Sequence, residues 1–218
     1  MQGRDDPLMS FRHFQSGPAI SLRRPTARAI REFAERQRTL NLTYPATVAG
    51  KSPPAGFTVD FQRTLVGTGE ATFHAACDLV HRWRQFPTAW IAPVVDSLPA
   101  AEGDVVVTLA RFAGLWWLNA CRVVDVVEPG PAFPGHSRRL EIAYGTLPGH
   151  IAAGEERFSI VCDADDRVWY EIHAFSRPAY WLARLARPLL RRLQRRFGAE
   201  SLALVAAAGA AAPCSQVV

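Results

Sequence analysis

Residues 104–128, DVVVTLARFAGLWWLNACRVVDVVE, and 155–176, EERFSIVCDADDRVWYEIHAFS, decide the fold. Both are dense in Val, Ile, Trp, Tyr and Phe, the residues that fit the pleated, half-buried surface of a strand. Each stretch turns back on itself, at Ala113-Gly114 and at Asp163-Ala164-Asp165-Asp166. Turns that short leave the flanking strands no choice but to run antiparallel. With Arg138 to Leu147 between them, five strands result: Asp104–Phe112, Leu115–Glu128, Arg138–Leu147, Glu155–Cys162 and Arg167–Ser176. Pro129 to Gly135 forms the one longer loop in the series.

Working upstream, Phe57 to Val66 reads as a first strand, broken at Gly67-Thr68-Gly69. A helix then runs to about Trp83, because Phe73, Ala76, Cys77, Val80 and Trp83 recur at three- and four-residue steps. A short strand is expected at Ile91 to Val95. Pro25-Thr26 starts a helix through about Arg38, and Tyr44-Pro45 to Gly56 is a connector, since consecutive prolines join neither a helix nor a sheet interior.

Downstream, Pro178 stands where it would open the last helix, a position in which its missing N–H costs nothing. Leu182, Leu185, Leu189, Leu193 and Phe197 line one side of this helix, and Arg184, Arg187, Arg191 and Arg195 the other. Such two-sidedness predicts that the leucine stripe covers the sheet. Pro188 should kink the helix. The expected class is α+β, a helix-grip fold in which a curved antiparallel sheet wraps a long C-terminal helix. Residues 1–24 read as disordered or peripheral, 25–205 as a single domain and 206–218 as a flexible tail.

Composition narrows the functional classes. The chain has 218 residues, 49% of them apolar, enough for one domain with its own core. No run reaches the ~20 consecutive apolar residues of a membrane helix, and the first fifteen residues show no apolar signal region. Cys77, Cys121, Cys162 and Cys214 are scattered, without a Cys-x-x-Cys pair, which reads as buried thiols in a reducing compartment. A cytoplasmic location is therefore expected. The net charge of +5 is carried almost wholly by arginine, Lys51 being the lone lysine. It permits contact with polyanions without requiring it.

Several motifs carry a resemblance. Tyr144-Gly145-Thr146-Leu147-Pro148-Gly149-His150, Gly154-Glu155-Glu156-Arg157-Phe158, Val168-Trp169-Tyr170-Glu171-Ile172, Phe175-Ser176-Arg177-Pro178 and Gln194-Arg195-Arg196-Phe197 together resemble uncharacterised protein family 0548, a domain-of-unknown-function family. The likeness runs from about Pro25 to Ala203 and takes in Tyr44-Pro45, Gly67-Thr68-Gly69 and Trp83. It implies kinship with START-type lipid-transfer domains and the birch-pollen-allergen fold, hence a helix-grip architecture. It supplies no catalytic residues.

The last hairpin holds the first candidates. A two- or four-residue turn would set Glu156 opposite His173, Phe158 opposite Glu171 and Ile160 opposite Trp169, with all six on one face. This face reads either as a cavity wall with two carboxylates and an imidazole, or as a wet surface with an exposed cross-strand pair. Tyr144, Thr146 and His150 form a second group around a Gly/Pro loop, either contacting a ligand or tying the turn together. Trp116, Trp117 and Tyr170 serve a pocket or the core, and the adjacent tryptophans must face opposite ways.

Gly67-Thr68-Gly69 lacks the Lys-Ser/Thr and βαβ context of a phosphate loop. His74 and His81 are too far apart on their helix to share an ion, and His13, His136, His150 and His173 show no ligand spacing, so neither metal nor cofactor is expected. The arginine face is either solvated or a docking surface for anionic lipid or a partner; no nucleic-acid motif accompanies it. Two functions stay open: binding of a small, mostly apolar ligand such as a lipid or hydrophobic metabolite between sheet and helix, with Tyr144, Thr146, His150, Glu156, Trp169, Glu171 and His173 around it, or metal-independent acid–base catalysis by the hairpin Glu and His groups on a hydrophobic substrate.

Overall fold

The computed structural model describes residues 19–45, 53, 55–95, 97–130 and 137–210. Eight strands form one antiparallel sheet: β1 (Ala19–Ser21), β2 (Thr58–Thr68), β3 (Ile91–Val94), β4 (Val105–Phe112), β5 (Leu115–Val127), β6 (Arg138–Thr146), β7 (Ala152–Cys162) and β8 (Arg167–Pro178). Four helices accompany them: α1 (Ala27–Gln37), α2 (Gly69–His81), α3 (Trp181–Leu185) and α4 (Arg187–Ala210). The order across the sheet is β2-β8-β7-β6-β5-β4-β3, with β1 beside the first half of β5. The class is α+β and the architecture helix-grip, as the strand pattern predicts.

Ala19 to Ser21 belong to the sheet rather than to a peripheral segment, pairing with Trp116 to Leu118. The first strand in chain order is therefore this short one, and Thr58–Thr68 is the second. α1 opens where Thr26 caps it, the Thr26 hydroxyl accepting from Ala29 N–H at 3.2 Å. The Arg122 guanidinium donates to the carbonyls of Gln37, Arg38 and Leu40 just beyond its end. The inward side of α1, with Ile30 and Phe33, covers the convex side of β4 and β5 through Val105, Val107, Leu109 and Leu118.

On the concave side α2 and the turn after it insert Phe73, Val80 and Trp83 among Leu140, Ile142, Phe158 and Ile160. Burying large side chains of this kind is worth about 1.5–3 kcal/mol each. Trp83, two residues past the end of this helix, takes φ 57, a left-handed conformation that bulky residues seldom adopt. Its indole lies stacked over Tyr144, centroids 5.8 Å apart.

Three readings of the last helix need correction. Pro178 closes β8 instead of opening a helix. The helical segment breaks at Ala186, and Pro188 falls in the first turn of α4, where proline is tolerated, so one helix becomes two. The leucine stripe faces the sheet only in part: Phe197 is buried and Leu193 lines the cavity as predicted, but Leu185 and Leu189 are exposed, and Leu190, Ser201 and Val205 are buried instead. The side chain of Leu182 lies outside the described residues. The inward face of α4 is therefore shifted toward Leu190 from the predicted stripe, because α4 must approach β2 closely. A Cβ on Gly209 would stand 2.3 Å from both the Val66 carbonyl oxygen and its Cγ1, and one on Gly198 would stand 2.4 Å from the Gln62 amide. At the far side Trp90 donates its indole N–H to Glu200 at 2.6 Å. α4 thus spans the gap between the two ends of the curled sheet.

Candidate functional site

The β7–β8 turn decides which side chains reach the interior. Asp163 N–H donates to the Arg167 carbonyl at 2.9 Å, and Asp166 N–H to the Asp163 carbonyl at 3.1 Å. Asp166 takes φ 58, giving a three-residue loop with a left-handed last residue. This odd-membered turn shifts the pairing by one: Phe158 opposes Ile172, Glu156 opposes Ala174 and Arg157 opposes His173. A one-residue slip reverses every side chain of a strand. Trp169, Glu171 and His173 therefore stand on the convex face, away from Glu156, Phe158 and Ile160. There the Arg63 guanidinium lies over the Trp169 ring at 3.8 Å and 3.8 Å from the Glu171 carboxylate. The His173 ring lies 6.4 Å from that of Phe61.

Tyr144, Thr146, His150 and Glu156 face a cavity of about 360 Å³ between the concave sheet and the start of α4. One rung of the sheet crosses it: Asp60 pairs with Ala174, Ala174 with Glu156, Glu156 with Tyr144 and Tyr144 with Val123. Apolar walls come from Ile91, Ala110, Phe112, Trp117 and Ile172, and from Leu190 and Phe197 of α4. Trp117 is thus the inward member of the tryptophan pair. Trp116 packs with the α1 cluster, and Tyr170 is core, its hydroxyl 2.9 Å from that of Ser201.

Glu156 is the chemically unusual group. Its exposure is to the cavity; its carboxyl is surrounded by protein, and burial pushes its pKa up to about 7, opposed by the Tyr144 hydroxyl, which donates to Oε2 at 2.6 Å. The charge on Asp60 pushes the same way as burial. Tyr144 itself is held far above the usual tyrosine range by burial and by Glu156. His150 is driven down to about 4 by burial, so it is neutral at physiological pH. Its Nδ1 accepts from Ala152 N–H at 3.0 Å, tying the turn that carries it. Thr146 also has a structural partner, its hydroxyl accepting from Gly154 N–H at 2.9 Å.

At the α4 side Arg191 pairs with Asp60, 2.5 Å apart, and holds the aspartate below the ordinary range. Gln194 accepts from Arg191 at 3.1 Å and donates to the Ser176 hydroxyl at 3.0 Å. Asp60, Arg191 and Gln194 escaped the sequence reading because Arg191 was assigned to the solvent face of the helix. Thr108 and Asn119 also line the cavity. A signal for them did exist: each is a polar residue flanked on both sides by apolar ones in a central strand.

The described residues contain no cluster able to hold a metal ion. His74 contacts Glu70 at 2.6 Å and His81 contacts Glu128 at 3.3 Å, while His13 and His136 lie outside the described residues. Gly69 takes φ 84 at the strand-to-helix turn, and its N–H donates to the Asp166 carbonyl.

A curled antiparallel sheet gripping a long C-terminal helix, with a mostly apolar, partly open cavity between them, defines a helix-grip protein. Residues 43–204 match the family described as "Domain of unknown function (DUF1990)", and the chain belongs to that family. A UPF0548 protein of Deinococcus radiodurans is 34% identical over 203 residues, 86% of this chain and 98% of the relative. A UPF0548 protein of Dictyostelium discoideum is 34% identical over 154 residues, 67% of this chain and 70% of the relative. Among solved structures, the di-domain ARO/CYC BexL aligns at 13% identity with a TM-score of 0.48, covering 73% of this chain and 52% of that one.

Proposed function

We propose that the protein binds one small, mostly apolar molecule in the cavity, with a hydrogen-bond donor of that molecule meeting Glu156. The observation that carries this reading is a carboxyl at the floor of an apolar chamber of about 360 Å³, with only one of its oxygens engaged, by Tyr144. Ligand sites have this make-up, apolar walls with a few placed polar groups. The Asp60–Arg191–Gln194 chain supplies a second polar point at the α4 wall. Trp169, Glu171 and His173 have no part in it, since they stand on the other side of the sheet. The cytoplasm is the compartment that fits, the described cysteines Cys77, Cys121 and Cys162 being buried free thiols.

N-phenylnaphthylamine, an apolar fluorophore with a single N–H donor, tests the reading. Saturable fluorescence enhancement with the wild-type protein, lost in Ala174→Phe, supports it. Ala174 is the neighbour of Glu156 on the same rung, so a phenyl there fills the chamber over the carboxyl. Equal enhancement by both proteins, or none with wild type, rejects it.

One observation favours a second reading. A carboxyl raised to about 7 is matched to proton transfer at neutral pH, which makes Glu156 the acid–base candidate for a metal-independent reaction on the bound molecule. That reading requires Glu156→Gln to remove turnover of the bound molecule while leaving its affinity within about threefold, less than one hydrogen bond is worth. Unchanged turnover in this variant contradicts it.

A further inference from the structure

From residue 172 to residue 199 the chain has no acidic residue. The segment's outer face is also its least polar exposed surface: Trp181 is 68% exposed, Leu185 75% and Leu189 43%. Arg184, Arg187 and Arg192 of the same two helices are also exposed, and none of the three makes an ion pair among the described residues. Leu189 lines the cavity as well, with Ala186 and Leu193 beside it. The exposed apolar patch and the cavity wall are therefore continuous through a single turn of helix.

Three occupants compete for such a face. A second copy of the chain related by two-fold symmetry would set these unpaired arginines against one another, at a Coulomb cost. A nucleic acid would satisfy the arginines but would leave Leu185 and Leu189 without a partner. An anionic bilayer satisfies both: phosphate headgroups for the guanidinium groups, and the acyl boundary for the indole and leucines, the arrangement of an interfacial amphipathic helix. No helix among the described residues is long and apolar enough to cross a membrane, so contact through this face is superficial. We infer that the α3 and early α4 face docks the protein on an anionic lipid surface, placing the cavity wall at the bilayer. Its purpose, exchange of the cavity's ligand with the membrane, rests on the binding reading above; the docking itself does not.

Flotation of the purified protein with vesicles of phosphatidylcholine, alone or with about one third phosphatidylglycerol, reads the docking. Wild type floats with the anionic vesicles and not with the neutral ones. The double variant Trp181→Ala/Leu185→Ala and the triple variant Arg184→Glu/Arg187→Glu/Arg192→Glu each lose about tenfold or more of this binding. Both keep the wild-type circular-dichroism melting curve, since every altered side chain is exposed. The inference is overturned if wild type ignores anionic vesicles, if it binds neutral ones equally, or if both variants float as wild type does. It is overturned too if sedimentation finds a wild-type dimer that Trp181→Ala/Leu185→Ala dissociates, which gives the face to a second copy. Loss of N-phenylnaphthylamine binding with flotation intact would remove the cavity reading and leave the docking face standing.

Discussion

Glu156 and His150 line one cavity with opposite proton linkages. Glu156 rises from 4.5 to about 7 on folding, so between those pH values the unfolded chain has released a proton that the fold retains. Stability contributed by this group falls as pH rises through the window, by up to about 3 kcal/mol in all. His150 falls from 6.5 to about 4, so between about 4 and 6.5 the unfolded chain holds a proton that the fold excludes. Its contribution rises with pH by a similar amount, again about 3 kcal/mol. From pH 4.5 to 6.5 the two offset each other. Urea denaturation across that range should therefore separate them: relative to wild type, Glu156→Gln gains stability with rising pH and His150→Asn loses it. Slopes of the same sign in both variants would contradict the burial assigned to one of them. Tyr144→Phe removes the hydrogen bond that restrains Glu156, so the carboxyl pKa, followed by carbon-13 NMR, moves further up; a downward move would show that the hydroxyl donates elsewhere. Tyr144, Thr146 and His150 around the Gly/Pro loop, and Glu156 on the hairpin, were legible as candidates in two separate sets, which the β6–β7 pairing joins. The side of the sheet taken by Trp169, Glu171 and His173 was not legible. Their facing depends on whether the turn holds an even or odd number of residues, which Asp163 to Asp166 leave open until Asp166 is seen in its left-handed conformation.

At the scale of the element, the strands other than β1 were legible within about three residues, since β-branched and aromatic runs end where Gly, Pro or Asp intervene. The rotation of α4 was not. Leucines fall at 182, 185, 189, 190 and 193, so more than one apolar stripe can be drawn through them, and the stripe chosen by periodicity alone omitted Leu190. What fixes the rotation is backbone approach to β2 at Gly209, while Gly198 faces the Gln62 side chain. The two glycines should respond differently to substitution. Gly209→Ala drives a methyl against the Val66 backbone carbonyl, costing about 1–3 kcal/mol of overpacking against the gain of about 1 kcal/mol in helix propensity. Gly198→Ala meets only the mobile end of the Gln62 side chain, which can move aside, so the propensity gain dominates. Thermal melts should show Gly209→Ala below wild type and Gly198→Ala at or above it. The reverse order would mean that α4 is seated otherwise.

For the whole molecule, the sheet's curl and the span of α4 leave a hollow where the concave face is not filled by α2. Phe73, Val80 and Trp83 fill one end, and the Asp60-to-Tyr144 rung marks where solid packing stops and the chamber begins. Antiparallel strands followed by an amphipathic helix were enough to foresee the architecture. The chamber's dimensions were not foreseeable, because they depend on where α2 ends and how α4 is rolled. Native mass spectrometry of protein purified gently without detergent tests the chamber's role most directly. The account predicts a single small adduct on the wild-type chain that is missing from Ala174→Phe. Ligand-free wild type in repeated preparations, with no rise in melting temperature from a panel of lipids and apolar metabolites, would contradict it.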